Sequence, residues 1–219
     1  MKLVFVRHGE SAANAEGRLQ GHAEFRLSEK GRAQSHRLRE RFQREGFQPT
    51  HIYSSPQQRT AETVRIVASH WPVPIVYWND LKEHDVGIFS GLTWNEISAK
   101  YPEVALKFKK SRDWGIVEGA EPLRSQRSRA RQVVEAVIEL HASGDTVIVF
   151  THGGILQHLL AVLMGTEHTC RTPVRNTAIF DFALDLECWS QDGGVLRNNY
   201  LWRVEHFNDT SHLTWAPTT

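Results

Sequence analysis

Cysteine is scarce in this chain, with Cys170 and Cys188 the two thiols among 219 residues. Two thiols cannot build a disulfide framework, which excludes the small stapled scaffolds and fits a reducing compartment. Long hydrophobic runs are missing as well. Leu3-Val4-Phe5-Val6 stops at Arg7-His8, and Val147-Ile148-Val149-Phe150 stops at a polar turn. Both are far shorter than a membrane span or a signal-peptide core, so the expectation is a cytoplasmic protein with neither membrane contact nor targeting segment. Nor does one sign of charge dominate. The 26 Lys and Arg against 25 Asp and Glu leave a formal charge of +1, which gives neither nucleic acid nor an anionic membrane a bulk electrostatic reason to bind. Low-complexity linkers and internal repeats are absent too.

What is there is an ordinary globular composition, 40% hydrophobic and 23% charged, in a length suited to one domain over 1–219 that can bury a core unaided. The 12 histidines are the unusual count. Leu3–Val6 reads as a buried strand ending in a loop. Ser28 predicts the start of a helix over 29–45, with Leu38 and Phe42 on its apolar face and Gly46 closing it. Residues 51–54 read as a second strand, Pro56 as the opening of a helix carrying Thr63, Val64 and Val67, and Ile75–Tyr77 as a third strand after a proline breaker.

Residues 81–124 differ, with glycines, two short helix-like pieces near 93–100 and 103–110, and Trp94 and Trp114. They read as an excursion over the functional edge of the sheet, with Trp94, Trp114 and Phe108 either at its mouth or in its packing. The arginines Arg124, Arg127, Arg129 and Arg131 of the next helix, over 122–142, read as a solvated face. A strand over 145–150 runs through Thr151-His152-Gly153-Gly154 into an apolar helix over 155–164. Two further strands, near 177–184 and 200–206, are joined through a turn at Asp192-Gly193-Gly194. The fold class is therefore α/β: a three-layer sandwich with a mainly parallel sheet flanked by helices, room for one antiparallel edge strand, and a small helical excursion.

Two of the strands end alike, in Arg7-His8-Gly9 and Thr151-His152-Gly153. Ligands bind at the carboxyl ends of strands in open α/β sheets, and a helix starting after Gly153 adds its positive end there. One such histidine is easily an ordinary turn residue; two at equivalent strand ends are harder to dismiss. Arg7 and Arg59 reach the same edge, and two guanidiniums beside two imidazoles make a poor core and a good dianion clamp. Glu83, at the root of the excursion, is placed to give a proton to a leaving oxygen, although loop carboxylates are commonly just solvated.

These residues resemble the signature of the histidine phosphatase superfamily, the phosphoglycerate-mutase-like proteins. The likeness runs in order through Arg7-His8-Gly9-Glu10-Ser11 with Asn14, Leu27-Ser28-Glu29-Lys30-Gly31 with Gln34, Ser54 with Arg59 and Thr63, Leu81 and Glu83 with Gly87 and Gly91, and Thr151-His152-Gly153-Gly154. The resemblance implies a covalent phosphohistidine on His8, with Arg7, Arg59, His152, Asn14 and Gly153 around the phosphate and Glu83 as general acid and base. It implies no metal or other cofactor. The partner it implies is a small phosphorylated metabolite, with a homodimer left open. To present one lone pair for in-line attack, the imidazole of His8 should donate from its other nitrogen to a backbone carbonyl. The chain departs from the family in having Glu24 and Arg26 where Asp and Pro are frequent, Thr60 where Ala is usual, and Gly119-Ala120-Glu121-Pro122 for Gly-Gly-Glu-Ser. Arg26 reads as a solvated loop residue.

The stretch from Glu83 to Asp145 is short for the bisphosphate-closing segment of the mutases, and Glu83 is followed by His84-Asp85-Val86-Gly87 rather than the mutase-like Arg-His-Tyr-Gly. Hydrolysis of a small phosphomonoester is thus preferred over a 2,3-bisphosphoglycerate-dependent phosphoglycerate mutase. A metal hydrolase using His8, His152, His84, Asp85 and Glu83 lacks any metal-ligand spacing, and a catalytically dead binding module would be expected to have lost part of the pocket. The physiological substrate is not encoded in any motif.

Overall fold

The computed structural model describes residues 1–169, 173–189 and 201–214. Strands β1 (Lys2–Arg7), β2 (His51–Ser54), β3 (Ile75–Tyr77), β4 (Thr146–Thr151), β5 (Ile179–Leu184) and β6 (Trp202–Asp209) form one sheet in the order β3-β2-β4-β1-β5-β6. β1, β2, β3 and β4 pair in parallel, and β5 runs against them. β6 pairs antiparallel with β5 at the rim, so the strand of opposite sense sits one place in from the edge. The turn at Asp192-Gly193-Gly194 and Cys170 lie outside the described residues.

Alternation along the central strands sorts the core onto two faces. Leu3, Phe5, Val147 and Val149 face α6 (Leu123–Leu140) and α7 (Gly153–Leu163), meeting Val133, Val134, Val137, Ile155 and Leu159. Val4, Val6, Ile148 and Phe150 face α2 (Glu29–Arg44) and α3 (Gln58–Val67), meeting Leu38, Phe42, Val64 and Val67. Covered on both sides, these strands read as continuous apolar runs rather than alternating ones. Among the described residues, no helix is long and apolar enough to cross a membrane.

Helix boundaries matter where they touch the strand ends. Ser28 caps α2, its Oγ accepting from the Gly31 amide at 3.0 Å. α3 begins at Gln58 rather than at Pro56, because Gln57 stays extended and its side chain is drawn to the Gly21 carbonyl and the Glu83 amide. α7 begins at Gly153 rather than Ile155, which puts the amides of Gly154 and Ile155 in its open first turn.

The excursion holds α4 (Trp94–Lys100) and α5 (Pro102–Ser111) and has a core of its own. Phe89, Ile97, Ala105, Phe108 and Val117 are buried there, and the Trp94 and Phe108 rings stack with centroids 5.7 Å apart. Trp94 and Phe108 are therefore packing residues. A bridge between Val86 and Ala120 and a hydrogen bond from Glu121 N to Asp85 O tie the two ends of the excursion together beside the sheet edge.

Candidate active site

The register of β1 against β4 pairs Arg7 with Thr151, so the two histidines that follow emerge side by side at the carboxyl edge. Their ring centroids are 5.0 Å apart in an edge-to-face arrangement. His8 Nδ1 lies 2.6 Å from the Gly9 carbonyl oxygen. A carbonyl only accepts, so Nδ1 carries the proton and Nε2 the lone pair. Burial, then the charges of Arg59 and Arg7, hold the His8 pKa well below the ordinary imidazole value, against the Gly9 carbonyl and Glu83. Gly9 has no substitute here, since a Cβ would come 2.6 Å from the Gly31 carbonyl oxygen.

His152 is fully buried, and its surroundings are the reverse. Nδ1 accepts from Arg59 Nε at 3.1 Å, which places the proton on Nε2. Nε2 then donates toward Ser55 Oγ at 2.8 Å, with Thr60 Oγ1 at 3.1 Å. Burial first, then the charge of Arg59, keeps this imidazole neutral. The departure at Thr60 thus touches the second histidine directly.

Arg59 is 1% exposed and spans the site. Besides His152, it donates to the carbonyls of Ala23 and Gly21 at 3.1 and 3.0 Å. Burial lowers its pKa to about 10, which leaves it cationic at neutral pH. Arg7 donates to the Val174 carbonyl, and its Nε is buried without a partner. Asn14, in the short helix α1 (Ala12–Ala15), accepts from Ser11 N through Oδ1, leaving its Nδ2 for the pocket that it lines. Gly153 lies under Arg7, whose Nε is 3.4 Å from where a Gly153 Cβ would stand.

Glu83 is seated on the N-terminus of α7. Oε2 accepts from Gly154 N at 2.9 Å, and Oε1 accepts from Ile155 N at 2.9 Å and from His84 N and Nδ1 at 3.0 Å. So close a seat needs Gly154, whose Cβ would fall 2.6 Å from Oε1. Burial alone would raise the carboxyl pKa. The charge and hydrogen bond of His84, with the Gly154 amide, reverse this and hold it well below the usual range. Conversely, burial opposes protonation of His84 but Glu83 raises its pKa.

Arg7, His8, Asn14, Arg59 and Glu83 line one cavity of about 180 Å³, together with Arg18, His84 and Trp114 among others. Of the residues expected at the site, His152 stands behind this wall rather than in it, against His8 and Arg59. Arg26 is exposed. Residues that no motif or spacing singles out also hold the site. Gln57 accepts from Glu83 N at 2.8 Å and donates to Gly21 O. Arg129, expected to be solvated, instead grips the Glu121 carboxylate through Nε and Nη2 and the carbonyls of Asp80 and Lys82, flanking the Glu83 loop. Among the described residues, no group of three or more His, Cys, Asp or Glu is arranged to hold a metal ion.

Comparison with known proteins finds relatives along nearly the whole chain. A family model for the histidine phosphatase superfamily (branch 1) matches residues 3–192. The chain is 32% identical over 215 residues to a metal-independent phosphoserine phosphatase of Arabidopsis thaliana, covering 97% of this chain and 83% of that one. It is 31% identical over 214 residues to phosphoglycerate mutase-like protein 4 of the same plant, covering 97% and 86%. Among solved structures, Bacillus stearothermophilus YhfR superposes with a TM-score of 0.80 at 27% identity, over 97% of this chain and 98% of that one.

Proposed function

Since this chain belongs to the histidine phosphatase superfamily, branch 1, we propose that it hydrolyses small phosphomonoesters through a phosphohistidine on His8, working as one domain with residues 81–124 facing the substrate. The observation that carries this reading is the His8 imidazole, whose Nδ1 proton is fixed on the Gly9 carbonyl while the ring lines a pocket with Arg7, Arg59 and Asn14. A neutral imidazole with one committed nitrogen is a nucleophile aimed by its own backbone. The guanidiniums and the Asn14 amide supply the charge and donors that a transferring phosphoryl group demands. His152 acts by placing Arg59.

The substrate oxygen leaves toward Glu83. Resting Glu83 is ionised, so a proton must join it before it can act as an acid. A bound phosphate dianion favours that step by opposing the carboxylate charge. After transfer, the regenerated carboxylate takes a proton from water as that water attacks the phosphohistidine, and inorganic phosphate leaves. The amides of Gly154 and Ile155 keep the carboxylate in place through both steps. A cavity of about 180 Å³ suits a small substrate, and the name of the phosphoserine phosphatase relative makes phosphoserine the first candidate.

The test is a panel of phosphomonoesters including phosphoserine and 3-phosphoglycerate, read by free phosphate, with a parallel assay for isomerised phosphoglycerate in the presence of 2,3-bisphosphoglycerate. Stoichiometric phosphate release without isomerisation is expected. Primer-dependent isomerisation without net phosphate release would replace the hydrolase by the mutase.

A further inference from the structure

Between α6 and α7 runs a groove of about 610 Å³ that shares no lining residue with the catalytic pocket. Arg124, Arg127 and Arg131 line it, spaced three and four residues apart and so on one face of α6. Among the described residues, none of the three has a hydrogen-bond or ion-pair partner, and Arg127 Nε is shut off from solvent as well. Leu123, Ala161 and Val162 give the groove apolar surface, and its lining holds one acidic residue, Glu167. Three unpaired guanidiniums around one cavity are complementary to an anion with more than one charged group.

His158 in the same lining is an independent sign. It is 6% exposed, and its tautomer is fixed by a chain of hydrogen bonds. Gln126 Nε2 donates to the Glu121 carbonyl at 2.7 Å, so Gln126 Oε1 faces His158 and accepts from its Nε2 at 3.0 Å. His158 Nδ1 is therefore a bare lone pair, buried and without a partner. Burial, helped by the charges of His84 and Arg127, pushes the pKa down to about 4, so the ring stays a neutral acceptor. Buried acceptors of this kind are ordinarily satisfied.

We propose that the groove between α6 and α7 binds a small hydroxylated organic polyanion, whose charged groups pair with Arg124, Arg127 and Arg131 while a side-chain shift on binding opens the buried His158 Nδ1 to its hydroxyl. The size is that of ordinary small-molecule sites, and the apolar surface suits the carbon skeleton of such a ligand. This assignment does not rest on the phosphatase reading, because it is tested by binding alone.

Citrate is the probe, since it has three carboxylates and one hydroxyl and no phosphoryl group. Tricarballylate, the same tricarboxylate without the hydroxyl, is its control. Calorimetric titration of the full chain should give one-to-one citrate binding, weakened at least about tenfold in an Arg124→Gln/Arg127→Gln/Arg131→Gln variant and unchanged in Arg7→Gln. Tricarballylate should bind the wild type several-fold more weakly than citrate. An unaltered near-UV dichroism spectrum certifies that the triple variant is folded. Absence of citrate binding at about 10 mM, binding that survives the triple substitution, or binding lost in Arg7→Gln would each overturn the site. Equal affinity for the two acids would overturn the role of His158.

Discussion

His8 and His152 end neighbouring parallel strands with the same Xaa-His-Gly pattern, and their rings lie 5.0 Å apart, yet their nitrogens are used in opposite ways. His8 is tied at Nδ1 and has Nε2 left for the pocket. His152 is tied at both nitrogens, to Arg59 on one side and to Ser55 and Thr60 on the other. In the mechanism proposed above, one strand-end histidine reacts and the other holds a group that serves it, and their hydrogen bonds are what tell the two apart.

The largest expected effect tests this contrast at its root. Replacing His8 by Ala should remove at least about 10⁴-fold of kcat, as for other nucleophiles. Replacing His152 by Ala should cost about 10²–10³, the scale of a lost charge-stabilising group, because Arg59 loses its brace. Equal losses in steady-state assays would dissolve the distinction. Next comes Glu83→Gln, which should slow phosphoserine hydrolysis by about 10²–10⁴. The same variant should lose far less with p-nitrophenyl phosphate, whose leaving group needs no proton; matching losses would show that Glu83 is not the acid.

The pH profile sharpens the comparison further. His8 must be neutral and Glu83 protonated for the first step, and both pKa values are held below their ordinary positions. A low His8 pKa keeps the nucleophile available in mild acid, and a low Glu83 pKa makes its acid form scarcer as pH rises. The kcat for phosphoserine should therefore peak on the acid side of neutrality and fall toward alkaline pH. With p-nitrophenyl phosphate that fall should flatten, and an alkaline optimum for phosphoserine would contradict the assignment. The smallest effect concerns the cage of His152. Ser55→Ala or Thr60→Ala alone leaves the other hydroxyl to accept from Nε2, so each should cost little. The double variant strands a buried N–H and should lose about 1–3 kcal/mol of stability in denaturant titrations.

Much of this was legible in the sequence, for identifiable reasons. Strands β1 and β4 declared themselves because burial on both faces makes them continuous apolar runs, and the sheet edge then placed Arg7, His8 and His152 together. Arg59 and Glu83 followed from their positions just after strands. The roles of Gln57, Ser55, Thr60 and Arg129 were not legible, since each acts through contacts with segments distant in the chain. Arg129 shows the limit plainly. It shares a helix with Arg124, Arg127 and Arg131, and nothing in the spacing distinguishes the one that reaches the carbonyls of Asp80 and Lys82 from three that line an open groove. A helix beginning after Gly153 was legible, but not that its first amides would grip Glu83 and so turn a loop carboxylate into one held by a helix N-terminus.

The most direct measurement is rapid quenching of the enzyme with labelled phosphoserine, followed by mapping of the acid-labile, base-stable phosphate. Label on His8, absent from the His8→Ala variant and still formed on His8 in His152→Ala, is the predicted result. Label on His152, or turnover at the wild-type rate after His8→Ala, would contradict it.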